Sequence, residues 1–290
     1  MIKRTLAVVA ALLLLGGSGA QAASKRATCD RACLAGAMTA YLNALAKHDP
    51  SRAPLSKAVR FTENTMDLKP GEGLWTTITG LGTFREDFLD VRAGIAGSHV
   101  VVQDAGRPAL LAVRLKVVRG MITEIETQVT NSPPTGQRFE VDTLKTPNPE
   151  VMRILKPSER MSRAELVRIS DFYPAGLKAG SFATVDAPMA PDATRNENGG
   201  WAAGPFCTSR PTCKDMKTQP LGAGRTHFQD RVLLVDEQTG VVWRRMSWLP
   251  PGGKDERLVA FEIFKIYGGQ MHVVEAFLRT EPLSSVSGWG

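Results

Sequence analysis

Val59-Arg60-Phe61-Thr62-Glu63-Asn64 and, 134 positions on, Ala193-Thr194-Arg195-Asn196-Glu197-Asn198 close on the same Glu-Asn pair. The echo continues in order. Phe88-Leu89-Asp90 with Gly94 returns 146 positions on as Leu234-Val235-Asp236 with Gly240. Leu115-Lys116 through Gly120 to Glu126 returns 149 positions on as Phe264-Lys265 through Gly269 to Glu275. A fixed order with a slowly growing offset is the mark of a duplicated unit of roughly 120 residues whose second copy has gained a loop.

Within the first copy, Ala37, Met38, Tyr41, Leu42 and Leu45 fall on the spacing of an amphipathic helix that His48-Asp49-Pro50 stops. A short helix or turn near 51–58 leads to a strand over 59–65. Strands are then predicted over 83–90, 98–103, 109–118 and 122–129, joined by tight turns at Asp104-Ala105-Gly106 and Arg119-Gly120. The second copy repeats the order. Ser162-Arg163-Ala164-Glu165 is a capping box that opens a helix to about Leu177, and strands follow near 226–236, 241–249, 257–267 and 271–279. Residues 131–160, with five prolines, read as a linker, giving units at 23–130 and 161–290.

Residues 1–22 run from Lys3 and Arg4 through an apolar stretch to Ala20-Gln21-Ala22, the order of a cleaved signal peptide, and the apolar run is about half the length needed to cross a bilayer. The expected location is periplasmic or secreted. Cys29, Cys33, Cys207 and Cys213 are then disulfides, spacing favouring 29 with 33 and 207 with 213. The net charge of +7 is scattered without basic runs, which argues against nucleic acid as a partner. No later stretch is apolar enough for a stable membrane span. No metal-ligand spacing, Walker loop, G-x-G-x-x-G or G-x-S-x-G occurs, so no metal or other cofactor is expected.

The helix-then-sheet order resembles the cone-shaped fold of the nuclear transport factor 2-like (NTF2-like) superfamily, which includes SnoaL-like cyclases, steroid isomerases and scytalone dehydratases. More specifically, Cys29-Asp30-Arg31, His48-Asp49-Pro50-Ser51-Arg52, Phe61-Thr62-Glu63-Asn64, Gly71-Glu72-Gly73-Leu74-Trp75, Gly106-Arg107-Pro108, Ile122-Thr123-Glu124-Ile125-Glu126 and Ser287-Gly288-Trp289 resemble a family of exported bacterial and fungal proteins with no general assigned reaction. The resemblance implies an α+β fold class: two tandem cone-shaped NTF2-like units, each of helices packed on a curved antiparallel sheet. Such cones commonly pair through their sheets, so a monomer with an intrachain pseudo-dimer is expected.

A cone encloses an apolar pocket in which a buried carboxylate becomes a base near neutral pH. Val59, Phe61 and Glu63 share one strand face, so Glu63 follows apolar side chains inward. Glu63 is the candidate base, with Asn64 and Arg114 polarising an oxygen and His48 a proton donor. Trp75, Phe88, Glu197, Asn198 and Trp201 are candidate ligand contacts. A bland reading stands beside this one: Arg114 and Glu126 pair across strands, and a feature kept in both copies serves the fold. The expected function is an exported, cofactor-independent lyase, isomerase or dehydratase acting on a small hydrophobic or aromatic molecule. The alternative is a ligand-binding or accessory module of the cell envelope without turnover.

Overall fold

The computed structural model describes residues 29–134, 136–285 and 287–289, and the expected signal peptide lies outside them. Helix α1 (Arg31–Leu45) begins where Asp30 accepts the Cys33 N–H at 2.9 Å, and the disulfide from Cys29 to Cys33 closes over that first turn. Its three- and four-residue spacing buries Leu34, Met38, Tyr41, Leu42 and Leu45 on one face. Next come β1 (Leu55–Glu63), β2 (Met66–Leu68), the short α2 (Leu74–Thr77), β3 (Ile78–Asp90), β4 (Ile95–Asp104), β5 (Arg107–Val118) and β6 (Met121–Thr130).

The connecting residues 131–160 carry α3 (Pro149–Met152), and they bury Val141, Val151 and Leu155. Lys265 anchors them by donating from Nζ to the carbonyls of Arg153 at 2.7 Å and Val151 at 3.3 Å. Helix α4 (Arg163–Ser170) opens with the Ser162–Glu165 capping box, and α5 (Phe172–Ala179) ends at Gly180, whose φ of 75° suits glycine. The second set of strands is β7 (Met189–Glu197), β8 (Gly200–Ala203), β9 (Thr226–Asp236), β10 (Val241–Leu249), β11 (Glu256–Tyr267) and β12 (Gln270–Pro282). A loop closed by the second disulfide, Cys207 to Cys213, follows β8.

Both sheets have six strands in the same order, β2-β1-β6-β5-β4-β3 and β8-β7-β12-β11-β10-β9. In each, the first long strand runs parallel to the last, β1 with β6 and β7 with β12, while the other neighbours are antiparallel. The expected class, two cone-shaped NTF2-like units with helices packed on a curved antiparallel sheet, is therefore corrected. Strand makes up 44% and helix 20%, and each sheet is mixed. Sequence alternation reports which residues form strands but not which distant strands pair. It also passed over the short β2 and β8, and over β7.

The strands are apolar on both sides because both faces are covered. One face of the first sheet packs on α1 around Tyr41, Phe61, Trp75 and Val113, and one face of the second packs on α4 and α5 around Tyr173, Phe182 and Phe264. The opposite faces meet each other in a third core that includes Phe88, Leu110, Leu234, Trp243, Phe261 and Phe277. Here a Cβ on Gly97 would lie 2.6 Å from the Trp243 ring, so only glycine admits the indole. The halves also exchange matching contacts. Asp90 accepts the Val235 N–H at 3.0 Å and Arg163 at 2.6 Å, while Asp236 accepts the Leu89 N–H at 3.1 Å and Arg31 at 2.6 Å.

Candidate functional site

Strand register aligns the two copies residue by residue. Glu63 of β1, Thr127 of β6 and Val113 of β5 form one row, and the matching row is Glu197, Ala276 and Glu262. One row along, Phe61 beside Ile125 matches Arg195 beside Val274. Two apolar core positions of the first copy, Phe61 and Val113, are thus Arg195 and Glu262 in the second.

In the first copy the row is structural. Glu63 Oε1 accepts the Leu74 N–H at 3.0 Å at the start of α2, and Gly73, at φ 65°, leaves room for that carboxyl. Burial raises Glu63 to about 7, with the Leu74 hydrogen bond opposing. Phe61, Tyr41 and Trp75 fill the space beside it, each no more than 2% exposed. Asn64 turns the chain at φ 51° while Oδ1 accepts the Val129 N–H at 2.9 Å; Asn198, at φ 49°, accepts from Leu278 at 2.7 Å and also donates to the carbonyls of Arg138 and Leu278. The repeated Asn is a turn residue that ties two parallel strands together. His48, past the end of α1 at the surface, donates from Nδ1 to the Trp75 carbonyl at 2.6 Å. Arg114 lies on the opposite face of the sheet from Glu63, 2.9 Å from Glu124 and 4.0 Å from Glu126, its directly opposite neighbour. Phe88 belongs to the core between the sheets. Glu63, Asn64, His48 and Arg114 are therefore not gathered into one constellation.

The second copy has a cavity of about 260 Å³ at the same place, lined by Tyr173, Leu177, Arg195, Glu197, Trp248 and Glu262 among others. Helix α5 supplies Tyr173, β7 supplies Arg195 and Glu197, and β11 supplies Glu262. Arg195 donates to the Tyr173 hydroxyl at 3.4 Å and to Gln219 Oε1 at 3.2 Å. Its Nε lies 3.1 Å from Glu197 Oε1, close enough for an ion pair, yet this N–H has no aligned hydrogen-bond acceptor. Glu262 is 2% exposed, and burial drives its pKa up to about 8, with the Tyr173 hydroxyl opposing. Burial also pushes the Tyr173 hydroxyl well above the usual phenol range. A neutral acid, a phenol and an arginine N–H without an aligned acceptor surround this space, which suits proton transfer beside an oxygen that gains negative charge.

The sequence held a signal for Glu262. It is one of two charged residues within the otherwise apolar run 258–266, and the 149-residue offset sets it opposite Val113. Trp201 lies elsewhere, 38% exposed at the rim of a wider cleft between the connecting segment and the second sheet. Among the described residues no group of three or more His, Cys, Asp or Glu is arranged to hold a metal ion, and no helix is long and apolar enough to cross a membrane.

Residues 159–278 are similar to a domain of unknown function, DUF8021, a stretch that takes in Tyr173, Arg195, Glu197, Gln219 and Glu262. The crystal structure of a de novo designed protein with a curved β-sheet matches at 19% identity and a TM-score of 0.30, over 34% of this chain and 87% of that one. No curated protein matches the chain.

Proposed function

We propose that the second-copy cavity is a proton-transfer site, making this chain an exported, cofactor-independent lyase, isomerase or dehydratase for a small carbonyl compound. The supporting observation is the exchange of two core residues, Phe61 and Val113, for Arg195 and Glu262 in an otherwise repeated sheet, beside a cavity of about 260 Å³. Sites commonly specialise in one copy of a duplication, and a buried acid costs stability, which a functional site tolerates. The base role first expected of Glu63 passes to Glu262.

In this reading the Glu262 carboxylate takes a proton from the carbon next to a carbonyl. The Arg195 Nε–H holds the oxygen on which charge collects, the Tyr173 hydroxyl, which donates to Glu262, positions that carboxylate, and Glu262 returns the proton to a different carbon or to a departing hydroxyl. Leu177, Trp248, Leu258 and Leu278 form an apolar wall, and Arg138, Arg210 and Arg225 line the rest with positive charge. The volume is near the lower end of small-molecule sites, so the substrate is compact. Small ketones and aldehydes incubated with the protein in deuterium oxide and followed by NMR test this. The proposal expects protein-dependent exchange at the α-carbon that rises as pH passes about 8 and disappears in Glu262→Gln while binding is kept. Exchange undiminished in Glu262→Gln places the base elsewhere, and saturable binding without exchange supports the non-catalytic, ligand-binding alternative.

A further inference from the structure

The duplication also yields two versions of a cleft at the edge where the sheets meet. In the first, Trp289 lies over the β1–β6 pair: its indole N–H donates to Thr62 Oγ1 at 2.7 Å, and the guanidinium carbons of Arg60 and Arg114 lie 3.9 and 5.5 Å from the ring centre. Arg60 pairs with Glu124 and Thr62 with Glu126. The register equivalents of these four are Thr194, Val273, Asn196 and Glu275, and all four line the second cleft, which has a volume of about 550 Å³. The chain's own tail thus places an aromatic ring on one version, while the other opens to solvent.

The charge around the two differs: the first mixes arginines with Glu124 and Glu126, and the second lacks counterparts of those arginines. Thr194 stands where Arg60 does, and Ile263, opposite Glu275, stands where Arg114 does opposite Glu126. Glu140, Glu150, Asp192 and Glu275 line the second cleft, and among the described residues neither Lys nor Arg does. Glu150 is engaged by Arg153 at 3.2 Å, and His272, stacked on Tyr267, is held below its usual pKa by burial. Glu275 lies beside Glu86, burial and their mutual repulsion raising Glu86 and burial raising Glu275, and it accepts from Asn148 Nδ2 at 2.8 Å. Trp201 and Phe206 pack at 5.1 Å on the rim and are 38% and 61% exposed.

We propose that this cleft binds a small organic cation bearing a flat ring. The ring lies across the β7–β12 rows as Trp289 lies across β1–β6, and the positive group sits among Glu140, Asp192 and Glu275, where the aromatic rim adds cation–π attraction.

Three indoles of like size separate the contributions: tryptamine is a cation, tryptophol is neutral and indole-3-propionate is an anion. Titrated calorimetrically into the mature protein, tryptamine is expected to bind roughly tenfold or more tighter than tryptophol, with indole-3-propionate weakest, the first factor being within the range of a desolvated cation–π and carboxylate contact. Trp201→Ala and Asp192→Asn, both at exposed positions, each weaken tryptamine several-fold without moving the melting temperature. Glu262→Gln, in the other cavity, leaves it unchanged. Absence of saturable tryptamine binding at millimolar concentration, equal binding of all three indoles, or indifference to both rim substitutions overturns the proposal.

Discussion

Arg195 and Glu262 stand in rows where the first copy places Phe61 and Val113, and burial of Glu262 makes stability depend on pH. Glu262 rises from 4.5 to about 8 on folding, so the unfolded chain gives up this proton first. Its contribution to stability is complete below pH 4.5 and is lost as pH climbs through 8. Wild type measured against Glu262→Gln by urea unfolding is expected to lose relative stability across that window; a constant difference means that Glu262 titrates normally. His99, in the core between the sheets, behaves oppositely. Burial lowers it from 6.5 to about 3, while it accepts the Trp243 indole N–H at 3.1 Å, so its contribution is present above pH 6.5 and fades as pH falls toward 3. The turn asparagines give a third measurement. Asn198→Ala removes one acceptor and two donations and is expected to cost about 2–3 kcal/mol, whereas Asn64→Ala, with one such bond, costs about 1 kcal/mol. Equal costs in urea unfolding count against this account of the repeated Glu-Asn pair.

At the scale of elements, strand-long features were legible and distant pairings were not. Alternation and turn signals placed the cores of β3 to β6 and β9 to β12, and the spacing of Met38, Tyr41, Leu42 and Leu45 placed α1. The Ser162 capping box located the start of α4, but Asp171 divides the helix that was expected to reach Leu177. Parallel pairing of β1 with β6 left no local mark, because its partners are about sixty residues apart in sequence and are joined by the four strands and one short helix between them. The connecting segment read as a linker from its prolines, yet Val141 and Val151 reach into the core between the sheets. That packing depends on Gly97. Gly97→Ala drives a methyl into Trp243 and is expected to cost about 1–3 kcal/mol through overpacking. A neutral result in thermal unfolding means that the indole has room to move.

Over the whole molecule, the two halves meet through a shared apolar core and a reciprocal pair of clamps, Arg31 with Asp236 and Arg163 with Asp90. Each aspartate is buried and also accepts a backbone N–H from the opposite half, so Asp236→Ala strands both Arg31 and the Leu89 amide and is expected to cost about 3–5 kcal/mol. A loss below about 1 kcal/mol in urea unfolding marks the clamp as incidental. Mutual support of this kind leaves one copy free to diverge in its interior while the other keeps the shared frame stable. The first copy retains a packed interior, and the second carries Arg195, Glu262 and a cavity in its place. The most direct test restores the first copy's apolar residues in the second, as Arg195→Phe with Glu262→Val, adds Glu197→Gln so that no carboxylate is left without its arginine, and records the melting temperature. Replacing buried polar groups by well-packed apolar ones commonly stabilises by about 1–4 kcal/mol, so a site held at the expense of stability predicts a rise of several degrees with loss of ligand binding and proton exchange. A fall in melting temperature identifies Arg195 and Glu262 as part of the frame and contradicts the account.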